Sequence, residues 1–278
     1  MKRLIFFFSI VLYSSSILAQ KSNTYEVYAI EFARDDKFVP AKDFAINPII
    51  NDSARFVFMT WLLKGSNGRK VLVDAGFHKE SKFYGSWLRD YVRPDSSLQK
   101  LKLNPGDITD VILTHTHWDH IGGVDLFPNA TIWIQKNDYN YFVNDAWQTG
   151  GNTAGLDSSD VPKVVKLNSE GKIKLVNGDN VEIIPGIKVF IGSKHTFESQ
   201  YVVVNTPTDK VLIASDNCWL YYNLTHMISI PLTFDAVAYV NALQRMKTLV
   251  NTDLIIPGHD SKIFDKFKKI KEGVVRIR

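Results

Sequence analysis

Apolar and β-branched residues gather in short runs at 25–32, 56–63 and 70–73, with the length and composition of β-strands, and Gly65-Ser66-Asn67-Gly68 supplies a turn between the last two. Runs at 110–114, 131–134, 187–192, 200–205, 210–215 and 253–256 predict six more strands. Helices are predicted over the aromatic-rich stretch 79–91 and over about 136–143. A third starts from a cap at Thr233 or Asp235 and runs to about Val250, with Val240, Leu243, Met246 and Val250 on one face. Ile263, Phe264, Phe267 and Ile270 interleave with Lys262, Lys266, Lys268, Lys269 and Lys271 at helical spacing, which predicts a terminal amphipathic helix with a solvated basic face. Residues 144–168, with Gly150, Gly151, Gly155, Ser158, Ser159 and Pro162, form a long irregular segment of the kind that borders a binding site. Strands come in runs with helices between the runs. That order predicts an α/β (α+β) chain of two packed sheets with helices outside, rather than a doubly wound parallel sheet.

Composition changes this picture in three ways. Hydrophobic residues make up 45% of the 278, enough for a substantial core. Lys2 and Arg3, an apolar run over 4–13, the serines 14–16 and Ala19 have the layout of a secretory signal peptide over 1–19, cut near Ala19 or Gln20. A single domain over 20–278 and a periplasmic or secreted location are then expected. No stable membrane span is expected after residue 20, where no apolar window reaches about 18 residues. The formal charge is +4, and loss of Lys2 and Arg3 lowers it by two, which argues against nucleic acid as a partner. The one cysteine, Cys218, rules out an internal disulfide, so stability must come from core burial and bound metal; Cys218 reads as a small buried hydrophobe.

The chemistry concentrates at 115–120, which read His-Thr-His-Trp-Asp-His. His115 and His117 lie two apart in an extended segment, so both imidazoles project to one side and can reach one metal ion. Asp119 and His120 follow where Ile121-Gly122-Gly123 turns the chain; adjacent side chains diverge, which suits a second ion beside the first. His195, Asp216 and His259 each stand just past the end of a predicted strand, where a rigid scaffold holds a side chain over a cleft. Five of the seven histidines enter this scheme, and His78 and His226 do not. The expected cofactors are two divalent ions, with His115, His117 and His195 on the first, Asp119, His120 and His259 on the second, and Asp216 between them. Histidine and carboxylate donors suit zinc, and iron, cobalt and manganese also accept them.

The chain resembles the metallo-β-lactamase superfamily. The resemblance rests on Val71-Leu72-Val73-Asp74-Ala75-Gly76, on Asp107 to Thr114 leading into the motif, on His115 to Gly123, and on His195, Asp216 and His259. It implies a four-layer αββα sandwich of two mixed sheets flanked by helices, with the metals at one edge. Within the superfamily, His195-Thr196-Phe197-Glu198-Ser199-Gln200 resembles the His-Thr-x-Gly-Ser-Gln segment of N-acyl homoserine lactonases, with Glu198 in place of the glycine. Ser215-Asp216 and Pro257-Gly258-His259-Asp260 fit that branch too.

The resemblance implies a metal-dependent hydrolase that opens an acyl lactone, with Asp119 and Asp216 as catalytic carboxylates and Asp74 orienting a ligand histidine. An acyl chain requires an apolar groove, for which Phe77, Phe83, Tyr84, Trp87, Trp147, Trp219, Tyr221 and Tyr222 are candidates; Phe77, Trp219, Tyr221 and Tyr222 are the expected substrate contacts. One departure stands out. The lactonases carry a tyrosine three residues after the bridging Asp, where this chain has Trp219; Tyr221 or Tyr222 is the expected substitute. A β-lactamase and an organophosphate or other ester hydrolase are the alternatives, and a mononuclear iron dioxygenase would use fewer of these ligands. Zinc β-lactamases with this first motif generally lack an Asp between the metals, so Asp216 is the discriminating residue. The sequence leaves a homodimer open.

Overall fold

Residues 23–278 are described by the computed structural model, so the segment read as a signal peptide lies outside the described residues. The first strand, β1 (Tyr25–Asp35), sends Val27 and Ala29 into one core and Tyr28 and Ile30 into another. Apolar residues on both faces of a strand require a cover on both sides. The cover on one side is a second sheet, and on the other a layer of helices.

β1 pairs antiparallel with β2 (Val57–Gly65), which pairs antiparallel with β3 (Lys70–Val73). β4 (Asp110–Ile112), β5 (Thr131–Gln135) and β6 (Ile173–Val176) continue the sheet in parallel. The second sheet has five strands in chain order: β7 (Val181–Ile184), β8 (Ile187–Ile191), β9 (Gln200–Asn205), β10 (Lys210–Ser215) and β11 (Ile255–Pro257). Between the sheets, Trp61, Val71 and Val73 meet Val189, Val202, Val211, Ile213 and Ile256. Trp61 is fully buried there, and its truncation to alanine would cost about 3–5 kcal/mol. Outside the first sheet lie α1 (Lys136–Val143) and α2 (Val161–Ser169), with Tyr139, Phe142 and Val164 on Val111, Ile132 and Ile134. Outside the second lies α3 (Ala236–Leu249), with Tyr239, Leu243 and Met246 on Tyr201, Val203 and Leu212. The result is the αββα sandwich with two mixed sheets.

Three elements differ from the sequence reading. Residues 79–91 are not helical; they form turns and a two-residue strand, Leu88–Arg89, that pairs with β1. Gly85 sits mid-segment, and Phe83 and Tyr91 pack with Phe77 and Trp118, so tertiary packing overrides the helical spacing. The basic C-terminus keeps only one helical turn, Ile263–Lys266, before a hairpin of β12 (Lys268–Lys271) and β13 (Val274–Arg276). Gly273 at φ +66 permits that turn, and β13 covers the open edge of β1, with Val274 opposite Ile30. The segment 144–168 is irregular only up to the start of α2. For α3 the cap is Asp235, whose carboxylate accepts from the Val237 and Ala238 amides, and Tyr239 and Ala242 are buried where Val240 and Val250 are only partly so. No helix among the described residues is long and apolar enough to cross a membrane.

This topology gathers the strand ends. β10 and β11 run parallel with Ser215 opposite Pro257, which sets Asp216 and His259 side by side. The segment after β4 leads to His115, and the segment after β8 leads to His195 at the same edge.

Candidate metal centre

All seven residues singled out by the sequence meet in two groups. The donor atoms of His115, His117, His195 and Asp216 lie within 4.8 Å of one another, and so do those of Asp119, His120 and His259. Asp216 faces both groups. Its Oδ2 is 3.1 Å from His195 Nε2 and 3.8 Å from His115 Nε2, while its Oδ1 is 3.0 Å from His259 Nε2 and 3.2 Å from His120 Nε2. Asp119 Oδ2 is 3.1 Å from His120 Nε2 and 3.5 Å from His259 Nε2. His117 caps the helical turn Trp118–Ile121 from an extended conformation, and that change of direction carries Asp119 and His120 to the second group.

The outward nitrogens are tied down. His120 Nδ1 meets Asp74 Oδ2 at 2.8 Å, His195 Nδ1 meets the Leu232 carbonyl at 2.7 Å, and His259 Nδ1 meets the Val57 carbonyl at 3.0 Å. These bonds leave Nε2 of each ring directed at the centre. Asp74 also accepts from the Thr114 amide and hydroxyl and from the Ser215 hydroxyl, so one buried carboxylate fixes the loops carrying His115, His120 and Asp216. It does so from φ +63, a left-handed conformation uncommon outside glycine but tolerated by Asp. Gly258 and Gly155 permit close approach: a Cβ would come 2.6 Å from Asp216 Oδ1 at the first and 2.7 Å from the His117 ring at the second. Gly155 comes from the irregular segment expected to border the site.

This donor set fits a pair of cations. His115 Nε2, His120 Nε2, His195 Nε2 and Asp216 Oδ1 are buried without a hydrogen bond from the protein. Buried polar atoms normally have a partner, so four converging orphans call for a ligand. Burial, reinforced by neighbouring histidines, pushes the His115 and His117 pKa values well down, which keeps their lone pairs free. Burial opposes charge at Asp216 also, yet His259 and His120 outweigh it and hold the carboxyl well below its usual range. Imidazole and carboxylate donors in this ratio suit zinc.

A cavity of about 260 Å³ opens onto the centre. Of the predicted groove residues, Trp219 and Trp87 line it. The others do not. Phe77 is fully buried one layer below, at 4.4 Å between ring centroids from Trp118. The Tyr221 ring lies under Lys266, and Tyr222 holds the backbone of Ile50. Phe83 stacks on Trp118, Tyr84 packs on Tyr91, and Trp147 packs on Phe142. Trp219 does not stand idle in place of a hydroxyl: its indole N–H donates to Asp216 Oδ2 at 2.6 Å. The sequence reading missed Asp35, Val39, Asp43, Phe56, Phe58, Trp118 and Leu232 in the wall. Phe56 and Phe58 could have been found from their shared side of one strand run; Asp35 and Asp43 carry no local signal. Cys218 is fully buried, as expected, and burial pushes its thiol pKa up. His78 pairs with Asp125, and His226 packs on Tyr222.

The sequence model of the metallo-beta-lactamase superfamily matches residues 58–259, and the chain belongs to this superfamily. Among characterised relatives, it is 26% identical over 185 residues to N-acyl homoserine lactonase AttM of Rhizobium radiobacter, covering 63% of this chain. The chain spans 66% of that relative's length, just under two thirds. Among solved structures, a variant of AiiA from B. thuringiensis with N-decanoyl-L-homoserine bound at its active site has a TM-score of 0.65 at 20% identity, over 89% of this chain and 98% of its own. AidC, a dizinc quorum-quenching lactonase in complex with a product, has a TM-score of 0.59 at 18% identity, over 85% and 90%. These two likenesses establish the fold.

Proposed function

We propose that the chain is an exported dinuclear metal hydrolase that opens the lactone ring of N-acyl homoserine lactones. The observation that carries this reading is Asp216, one carboxylate with an oxygen toward each of two histidine groups at the floor of a cavity. Two bound divalent ions, zinc by donor chemistry, would supply Lewis acidity toward the ester carbonyl and a water-derived nucleophile at neutral pH. His115, His117 and His195 would hold one, Asp119, His120 and His259 the other, and Asp216 both. Asp119 is the least buried of the seven at 9% and lines the cavity, so it is the group placed to take the proton that the attacking water gives up and pass it to the departing ring oxygen. Phe56, Phe58, Trp87 and Trp118 exclude water and offer an apolar wall to an acyl chain.

Among the described residues, the cavity lining includes no lysine or arginine. A neutral lactone suits that lining better than a β-lactam, which carries a carboxylate. The names of the relatives support the same substrate class. Lys2, Arg3 and the apolar run that follows support export to the periplasm or beyond. The test is a substrate panel on the zinc-loaded protein with N-hexanoyl homoserine lactone, a β-lactam and a phosphotriester. Ring opening of the lactone in excess over the other two is expected. Turnover of the β-lactam or the phosphotriester without the lactone contradicts the proposal.

A further inference from the structure

Asp35 ends β1 at the mouth of the metal cavity. Its backbone is fixed by its amide, which donates to the Phe56 carbonyl at 2.9 Å, and by pairing with Leu88. Its Oδ1 is buried and has no hydrogen-bond partner. The side chain lines that cavity beside Val39, Asp43, Phe56, Phe58 and Trp87, and Arg55 and His259 are the cationic side chains near enough to act on its charge, though neither bonds Oδ1. An adjoining cavity of about 410 Å³ shares Asp35, Val39 and Trp87 with the metal cavity. Asp35 therefore stands at the waist of a groove that runs from the metal centre outward. Of the outer cavity's charges, Arg89 is engaged by Asp36 at 2.9 Å, and Lys37 lines the cavity as well.

A carboxylate oxygen left unpaired in apolar surroundings is unfavourable unless something else supplies a donor. The protein supplies none to Oδ1, and the groove leads past it. We propose that Asp35 is a specificity-determining residue: its carboxylate accepts the N–H of an amide carried on the lactone ring, while the ester lies over the metal centre and the acyl tail follows Val39 and Trp87 outward. This rests on the lactonase reading above. It adds that the amide, and not only the lactone, is recognised. A site built to bond a substrate N–H discriminates strongly against an analogue that lacks it, because the acceptor is then buried without a partner. Bonds to a charged acceptor are also stronger than neutral ones.

The test compares N-hexanoyl homoserine lactone with α-heptyl-γ-butyrolactone, in which methylenes replace the amide, on zinc-loaded wild type, Asp35→Ala and Asp35→Asn. The ratio of kcat/KM for the amide lactone to that for the alkyl lactone should fall about 10- to 100-fold in Asp35→Ala. It should fall less in Asp35→Asn, which keeps a neutral oxygen acceptor and the shape of the side chain. Binding of N-cyclopentyl hexanamide, which has the ring and the N–H but no ester, should weaken in the same order when followed by tryptophan fluorescence. A ratio that stays at the wild-type value in both variants overturns the role of Asp35 and leaves the lactonase reading standing. A wild type that opens neither lactone overturns that reading and this inference with it.

Discussion

Trp219 donates its indole N–H to Asp216 Oδ2 at 2.6 Å, so the one carboxylate that spans both histidine groups is steadied by the residue three positions further along the chain. The same oxygen faces His195 and His115. The bond fixes the carboxylate plane, and the indole itself is held edge-on to Phe56 at 5.6 Å between ring centroids. Trp219 thus places its one polar hydrogen on the ligand side of the site.

Trp219→Phe keeps the packing against Phe56 and removes only the N–H. Partners of metal ligands typically contribute 10- to 100-fold in affinity, so zinc affinity should fall about 10-fold in chelator competition. Unchanged affinity would mean that the indole does not steady Asp216.

Asp74 offers a separate test, because its two roles come apart on substitution. Asp74→Asn tolerates the left-handed backbone but no longer presents two anionic oxygens to Thr114, Ser215 and His120. It should lower metal affinity about 10- to 100-fold with the fold intact. Asp74→Ala in addition leaves buried donors without an acceptor and should cost a further 1–3 kcal/mol or so in denaturant unfolding. If both variants bind zinc as the wild type does, Asp74 does not orient His120.

The legible part of the molecule was the part written in local spacing. The pair His115 and His117, the turn at Gly122 and Gly123, and the ligands at the ends of β8, β10 and β11 depend on strand geometry alone. Their meeting in two groups with Asp216 between follows once the strands are packed. The groove was less legible. Phe77, Tyr221 and Tyr222 were expected at the substrate and instead pack in the interior, lie under Lys266 or hold the backbone of Ile50. Asp35 reaches the cavity at the last position of β1, beyond the run that ends at residue 32, and Leu232 reaches it through a loop with no sequence period. The carbonyls of Val57 and Leu232 orient two histidines, and backbone atoms leave no residue signature at all. At the C-terminus, Ile263, Phe264, Phe267 and Ile270 satisfied a helical spacing, but the unpaired edge of β1 selected a hairpin.

Acid should loosen the clasp that Asp157 makes beside the cavity. Asp157 accepts from the Ser81 hydroxyl and Lys82 amide on one oxygen and from the Ser159 hydroxyl and amide on the other, joining two loops beside the cavity. Burial would raise its pKa, but these bonds outweigh burial and hold it below the ordinary carboxylate value. A depressed folded pKa contributes stability above the unfolded value of about 3.9, lost as pH falls through the lower folded value. Protection of the Lys82 and Ser159 amides, relative to their intrinsic exchange rates, should therefore fall selectively below about pH 4. In Asp157→Ala that protection should be low at every pH. Equal protection in the variant and the wild type would remove Asp157 as the clasp.

In the proposed function, Asp216 joins two cations. Elemental analysis of metal per chain, run beside lactone turnover on wild type and Asp216→Asn, tests it most directly. Two ions are expected in the wild type, and in Asp216→Asn a loss of bound metal together with turnover. Full turnover with one ion per chain, in either protein, would contradict it.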